Sequence, residues 1–371
     1  DKPLLESMGN DTLNAELRAV LKPFYGVLKS ADAALRFVML TGVTRFSKVS
    51  IFSDLNQLKE IGMNENYAGI CGITERELLD NFRPEMEMLA KRMEKSFEET
   101  LDLVRRNFDG YHFRENSEGV YNPFSLLNTF DNRKIDFYWF ATGTPTFLFK
   151  ELERTEFDVT QFNGGIKIDE MEINNYQPGT MNPVPLLYQS GYLTIAGYDA
   201  RKRRYNLDFP NEEVKYGFMS SLLPYYIPSA QGKTNFYIGN FSDALEEGDA
   251  DSFLTQLRAF FALIPYDLHP VKNESYYETI FFVVFALLGQ FIESEVRSAA
   301  GRADAVVKTK DAVYVFEFKL DTGGTAEDAL KQIDEKGYLV PYTADGRRLV
   351  KIGVVFDTAK RTLGEWRVCE G

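Results

Sequence analysis

The segment Val313–Leu320, near the C-terminal end of the chain, is apolar apart from Glu317 and Lys319, which are two positions apart. Its β-branched and aromatic residues predict a β-strand whose successive side chains lie on opposite faces. Glu317 and Lys319 then share one face. Ala303–Val307 predicts the preceding strand, and the polar residues after it predict a turn. The resulting hairpin brings Asp304 beside Glu317, so two carboxylates and an ammonium group lie together.

Two amphipathic segments flank this hairpin. Tyr276–Phe291 predicts a helix in which Glu278 shares a face with three phenylalanines. Thr325–Tyr338 predicts a second helix, with Gln332 on the side that can reach the carboxylates. The predicted order in this part of the chain is therefore helix, strand, hairpin strand, helix, strand.

The clustered charges suggest a metal-dependent reaction on a phosphodiester. Mg²⁺ binds through one or two carboxylates and keeps several waters and a substrate phosphate, so Asp304 and Glu317 are the candidate ligands. A bound metal lowers the pKa of its water, and Lys319 can position that water or the phosphate. An isolated Glu-x-Lys is more often a surface ion pair, because short motifs recur by chance.

The surrounding residues resemble the PD-(D/E)xK nuclease superfamily. Glu278, Gly301-Arg302-x-Asp304, Glu317-x-Lys319 and Gln332 follow its motifs in order over roughly the last hundred residues. The resemblance implies a restriction-endonuclease-like αβββαβ core. It also implies that Asp304 and Glu317 hold Mg²⁺ or Mn²⁺, that Lys319 assists the water, and that Glu278 and Gln332 support the site.

The N-terminal pattern indicates an α/β arrangement. Leu13–Leu28 predicts a helix, and the apolar run Leu35–Thr41 predicts a strand that ends at a polar turn. Open α/β sheets place ligand contacts beyond the carboxyl ends of strands, which makes Thr41, Thr44 and Arg45 candidates for nucleotide contacts. An ordinary exit from a strand into a loop has the same pattern.

Further elements follow along the chain. Thr74 with Glu77 has the spacing of a capping box at a helix start, and Pro84–Arg106 predicts one long charged helix. Asn122-Pro123 predicts another helix start. Asp136–Thr142 predicts a strand. The isolated His112 follows an Asp-Gly turn and is expected to be a turn residue rather than a metal ligand.

Residues 1–150 resemble the AAA-ATPase-like domain that precedes PD-(D/E)xK nucleases in many bacterial proteins. The segments that carry the resemblance are DKPLL, LTGVTRFSKVSIFSDLNQL, FDGYHF, YNPFSLL and YWFATGTPTFL. It implies that Asp1 is the end of a Walker B region. The chain has no GxxxxGK[ST] loop: Gly232-Lys233-Thr234 has Ile227 where the upstream glycine is required. ATP is therefore expected as a cofactor only if a phosphate-binding loop precedes Asp1, and the sequence predicts a start within a longer gene product.

The middle of the chain predicts a different module. Val184–Ser190 predicts a helix, and Gly191–Tyr198 and Tyr205–Phe209 predict a hairpin with a basic turn at residues 201–204. A helix followed by a hairpin is typical of a winged-helix module. The basic turn is suited to phosphate contacts, although a solvated hairpin tip has the same composition.

Composition sets the remaining limits. With 371 residues, 44% hydrophobic, the chain is long enough for several domains, and we predict an α/β multidomain protein. The predicted domains are an AAA-ATPase-like remnant (1–150), a winged-helix-like and helical connector (151–265) and a nuclease-like domain (266–371). Two cysteines and two histidines predict neither a disulfide framework nor a zinc site. A cytoplasmic setting without a membrane span is expected.

Two classes of function remain after these observations. One is a Mg²⁺-dependent nuclease with DNA as substrate, coupled to an ATPase-like regulatory module through which homo-oligomers are expected to form. The other is a non-catalytic regulatory or scaffold protein that uses both folds for nucleotide sensing and protein contacts. The three ionisable residues favour the nuclease. The net charge of −13 and the missing phosphate-binding loop favour the regulator, because nucleic-acid binding usually needs a basic surface.

Overall fold

The structure of the protein is a computed structural model. The structure describes residues 3–4, 7, 10–42, 58–141, 146–173, 181–264, 274–296 and 303–371. Contacts divide the chain into two compact units. Unit 1 comprises residues 1–157 and 164–217, and unit 2 comprises residues 158–163 and 218–371. This division differs from the three predicted domains, whose boundaries stay a prediction.

Unit 1 is mainly helical in its described residues. Its helices are α1 (Asp11–Ser30), α2 (Glu75–Asn81), α3 (Arg83–Met93), α4 (Phe97–Phe108), α5 (Pro123–Asn132), α6 (Tyr138–Ala141), α7 (Thr146–Arg154) and α8 (Val184–Gln189). Helix α9 (Glu212–Tyr226) begins in unit 1 and ends in unit 2. Buried residues of α2 to α5 form one apolar core that includes Leu78, Leu89, Phe108 and Leu126.

Local sequence signals determine several of these helix ends. The Thr74–Glu77 capping box is present at the start of α2, and Asn122 caps α5 with Pro123 in its first turn. The single long helix predicted over Pro84–Arg106 is wrong. The chain leaves the helix at Glu94, which has a φ of 55°, and Ser96 begins α4 with a second capping box.

Two predicted strands are also wrong. Residues 35–42 are irregular, and Phe37 is 80% exposed. No described strand pairs with this segment, and an apolar run forms a strand only where a partner accepts its backbone hydrogen bonds. The segment predicted as a strand over Asp136–Thr142 contains α6 instead. The backbone N–H of Trp139, in the first turn of this helix, donates to the buried Glu213 carboxylate over 2.9 Å, so a side chain satisfies this amide.

A small antiparallel sheet completes unit 1. Among the described residues it contains β1 (Ile166–Asp169), β2 (Thr194–Asp199) and β3 (Arg204–Asp208), in the order β1-β3-β2. The predicted hairpin is therefore confirmed, and α8 precedes it. The assignment of this region to a winged-helix module stays a prediction.

Unit 2 contains a mixed sheet with helices on both faces. Its helices are α10 (Thr234–Glu246), α11 (Ala250–Phe261), α12 (Glu274–Leu288) and α13 (Ala326–Glu335). Its strands are β4 (Glu293–Val296), β5 (Ala305–Lys308), β6 (Ala312–Leu320), β7 (Arg348–Asp357) and β8 (Thr362–Glu370). The described strands lie in sequence order, and β6 pairs with β7 in parallel while the other pairs are antiparallel.

The two faces of β6 pack against different helices. Phe318 contacts Phe281 of α12 with ring centroids 3.9 Å apart, and Phe316 contacts Phe285 of the same helix at 5.2 Å. On the opposite face, Val313 and Val315 pack with Leu330 and Ile333 of α13. Because side chains alternate along a strand, Glu317 and Lys319 belong to the α13 face.

The predicted mixed α/β class is confirmed, and from α12 to β7 unit 2 has the αβββαβ order that the family resemblance implies. The order predicted from the residue pattern lacked β4, which precedes the hairpin. Strand β8 is added at the edge of the sheet. The helix start at Thr325 is a capping box with Asp328. This start places α13 across the face of β6 that carries the two charged residues.

Candidate functional site

The hairpin of β5 and β6 places Asp304 beside the charged face of β6. Ala305 is paired with Phe316, so the residue before Ala305 lies level with Glu317. The backbone N–H of Phe318 donates to Asp304 Oδ2 over 2.8 Å. A strand amide thus fixes the orientation of this carboxylate toward Glu317.

Glu317 is the most enclosed member of the cluster, with 2% of its surface exposed. Its Oε1 accepts hydrogen bonds from Lys319 Nζ, at 3.3 Å, and from Gln332 Nε2. Among the described residues, its buried Oε2 has no hydrogen-bond partner. Burial and, secondly, the charge of Asp304 raise the pKa of Glu317 to about 7, while Lys319 opposes the shift.

Asp304 is half-buried, and its environment also disfavours ionisation. Burial raises the pKa of Asp304, while the Phe318 amide and Lys319 lower it by a smaller amount. Two neighbouring carboxylates with raised pKa values hold their charges only when a cation or a proton lies between them. The pair is therefore suited to binding either a cation or a shared proton.

Gln332 links the two charged residues of β6. Lys319 Nζ donates to Gln332 Oε1 over 2.5 Å, and Gln332 Nε2 donates to Glu317. The amide can satisfy both partners in only one orientation, with its oxygen toward the ammonium group. Tyr338 OH lies 3.5 Å from Gln332 Nε2. Sequence reasoning missed Tyr338, although it is the last residue of the predicted helix.

These residues fit a hard divalent cation. Glu317 offers a buried oxygen without a partner, and Asp304 offers a second carboxylate on the same side. Within the described parts of the chain, no group of three or more His, Cys, Asp or Glu side chains is arranged for a metal. Two carboxylates match Mg²⁺, which fills its other positions with water and phosphate oxygens, and do not match a closed zinc site.

The other predicted site residues have different outcomes. Glu278 is exposed on α12, the helix whose rings cover the opposite face of β6, and its supporting role stays a prediction. Thr41 is exposed in the irregular segment that follows α1. Asp1, Thr44 and Arg45 lie outside the described residues, so their predicted nucleotide contacts stay predictions.

Several other motifs are explained by local structure. His112 Nδ1 lies 2.8 Å from the carbonyl oxygen of Ser117, as expected for a turn residue. In the Gly232-Lys233-Thr234 segment, Thr234 begins α10 after a turn. Among the described α-helices and strands, the element before α10 is helix α9 rather than a strand. In the basic turn, Lys202 and Arg203 form ion pairs with Asp199 and Glu170. These acidic partners favour the interpretation as a solvated hairpin tip.

Two regions of the chain match families of known proteins. Residues 272–366 match the model of the PD-(D/E)XK nuclease superfamily, and residues 1–52 match a predicted AAA-ATPase. An uncharacterized protein from the vnfD 5′ region of Azotobacter chroococcum mcd 1 is 36% identical over 370 residues. The alignment covers 98% of this chain and 69% of that protein. The chain belongs to the same family.

The chain has an AAA-ATPase-like domain at residues 1–52 and a C-terminal PD-(D/E)XK nuclease domain at residues 272–366, as the resemblance in the sequence implied. The nuclease domain contains all four residues that converge on the α13 face of β6. No solved structure matches the chain. Within the described residues, no helix combines the length and apolar character that crossing a membrane requires.

Proposed function

We propose that this protein is a Mg²⁺- or Mn²⁺-dependent nuclease that hydrolyses phosphodiester bonds in DNA. The observation that carries the proposal is the convergence of Asp304, Glu317, Lys319 and Gln332, with one Glu317 oxygen buried and without a hydrogen-bond partner. The match of this region to the nuclease superfamily supports it. Clustered, buried charges of this kind are costly for a purely structural role.

Each side chain has a distinct task in this proposal. Asp304 and Glu317 hold the cation, which when bound activates water and offsets charge on the phosphate oxygens. Lys319, whose side chain is 22% exposed, donates hydrogen bonds to the attacking water or the scissile phosphate. Gln332 keeps the ammonium group beside Glu317, so Lys319 is oriented before substrate arrives.

Cleavage assays on the full chain test the proposal. The substrates are single-stranded, duplex and branched DNA, with Mg²⁺, Mn²⁺ or EDTA and with nucleotide present or absent. We expect Lys319→Ala and Asp304→Asn each to lower the cleavage rate by roughly a hundredfold or more, the scale of losing one electrostatic contact in a transition state. Both variants should remain folded without metal, which thermal melting checks.

Matched variants control for the change in charge. Lys331→Ala alters an exposed lysine of α13, and Asp311→Asn alters an exposed residue of the β5–β6 turn. Both should cut like wild type. Equal cutting by wild type and Lys319→Ala would point to a contaminating nuclease and would contradict the proposal.

The ATPase-like region is proposed to regulate this nuclease. Support comes from the match of residues 1–52 to a predicted AAA-ATPase. Because residues 1–371 contain no GxxxxGK[ST] loop, we expect this chain alone not to hydrolyse ATP. Metal binding without cleavage of any substrate would instead support the regulatory or scaffold function.

A further inference from the structure

Strand β7 lies beside the site and allows α13 to approach it closely. Gly353 of β7 is paired directly with Glu317 in the parallel ladder. A Cβ atom at Gly353 would lie 2.3 Å from the carbonyl oxygen of Ala326 and 3.1 Å from Cβ of Ala329. Both neighbours belong to α13, and one is backbone. Any other residue at position 353 therefore pushes the first turns of α13 away from the sheet.

A second residue of β7 holds the other end of the helix. Lys351 precedes Gly353 by two positions and so projects from the same face. Its Nζ donates to both carboxylate oxygens of Asp334, each at 2.9 Å. Asp334 lies in the last turn of α13, and the Lys351 side chain is only 16% exposed. The first turns of α13 thus lie close against β7, and its last turn is hydrogen-bonded to β7.

Gln332 lies between these two attachments. Its amide contacts Lys319 and Glu317 together, an arrangement that a small movement of α13 would break. We propose that Gly353 and Lys351 are positioning residues, which set the height of α13 above the sheet so that Gln332 orients Lys319 against Glu317. The inference rests on the proposed nuclease function and adds two residues that act through Gln332.

A purely structural role is the alternative. Leu330 and Ile333 also attach α13 to the sheet, through the core with Val313 and Val315. If these contacts alone placed the helix, changes at Gly353 or Lys351 would alter stability but leave the Gln332 amide in place. The decisive measurement must therefore observe that amide directly.

The test uses the full chain with two variants and two matched controls. Gly353→Ala is compared with Gly364→Ala, where an added Cβ meets Cβ of Asp357 at an ordinary 3.4 Å. Lys351→Met is compared with Lys331→Met. The second variant removes an exposed lysine of α13, whose Nζ lies 4.0 Å from Asp328 Oδ1. The readout is the side-chain NH₂ signal of Gln332 in ¹H–¹⁵N NMR spectra without metal. Its assignment comes from its loss in Gln332→Leu.

We expect Gly353→Ala and Lys351→Met to shift or remove this signal, and both controls to keep it. In cleavage assays the two variants should lower kcat by roughly tenfold to a hundredfold, the scale of a displacement of about 1 Å in an active site. The KM for DNA should stay unchanged, because the lost interaction acts on the reacting groups. Adding Gln332→Ala to either variant should cause little further loss.

An unchanged Gln332 signal in both variants would overturn the inference. If Gly353→Ala does not fold, Lys351→Met decides alone, because it retains the aliphatic stem of the lysine. A wild-type chain that cuts no DNA would refute the proposed function, while the NMR comparison would still decide the positioning role. A shifted signal with unchanged kcat would show that Gln332 has no part in the reaction and would also overturn the inference.

Discussion

Glu317 carries the largest electrostatic cost in the candidate site. Its carboxylate is almost fully buried, and one oxygen lacks a partner. Burial and the nearby Asp304 raise its pKa to about 7, well above that of a glutamate in an unfolded chain. The folded protein therefore holds this proton more tightly than the unfolded chain does. The stability this proton contributes is complete below the unfolded pKa and is lost as pH rises through about 7.

This linkage predicts the behaviour of Glu317→Gln. Without metal, the free energy of unfolding of wild type should fall by about 1–3 kcal/mol relative to that of the variant as pH rises from 5 to 8, because glutamine cannot ionise. Urea unfolding across this pH range measures the difference. Glu365→Gln, at an exposed position of β8, is the control. Adding Mg²⁺ at pH 8 should stabilise wild type but not Glu317→Gln. Parallel pH profiles of wild type and Glu317→Gln would contradict the prediction.

At the scale of elements, the start of α4 depends on one residue. Ser96 Oγ accepts from the Glu99 amide at 3.2 Å, and Glu99 Oε2 accepts from the Ser96 amide at 2.8 Å. Ser96→Ala removes one half of this capping box and should destabilise the protein by about 1 kcal/mol. Urea unfolding measures the loss. The neighbouring Lys95→Ala should have almost no effect, and a similar loss in both variants would show that the cap is unimportant.

The sequence predicted well those elements that local residue signals specify. The hairpin carrying Asp304, Glu317 and Lys319 was predictable because period-two alternation and side-chain chemistry point to the same arrangement. The break between α3 and α4 was missed, although Ser96 and Glu99 have the spacing that identified α2. The strand predictions for residues 35–41 and 136–142 were wrong because an apolar run does not specify the partner against which it packs. Glu213, 74 positions from Trp139 along the chain, gave no local signal.

Gly353 was visible in the sequence as a site of close backbone approach, but its neighbour was not. A glycine inside the apolar strand Lys351–Phe356 indicates a close backbone approach. The sequence does not identify the neighbour, because α13 reaches β7 only after the helix and strand have packed together. Burial of Glu317 was likewise not predictable, since half-exposed and buried strands share the same alternation.

At the scale of the whole molecule, a net charge of −13 opposes binding to DNA. Lys and Arg side chains make most contacts to phosphate backbones, and their contribution to the binding free energy grows with the number of counterions that they release from the DNA. The two site carboxylates add local repulsion where the scissile phosphate must lie. A cation held by Asp304 and Glu317 would remove that repulsion and would attract phosphate oxygens. Metal and DNA should therefore bind cooperatively.

This coupling gives the last prediction. At fixed ionic strength, Ca²⁺, which also binds carboxylate oxygens, should tighten binding of labelled duplex DNA by roughly tenfold or more relative to EDTA, a coupling of about 1.4 kcal/mol. Asp304→Asn should lose most of this gain, whereas Asp311→Asn should keep it. Fluorescence anisotropy measures each affinity. By reciprocity, DNA should tighten Ca²⁺ binding by the same factor, which calorimetry checks independently. Tight binding in EDTA, equal for wild type and Asp304→Asn, would place the DNA-binding surface away from the carboxylates and contradict the prediction.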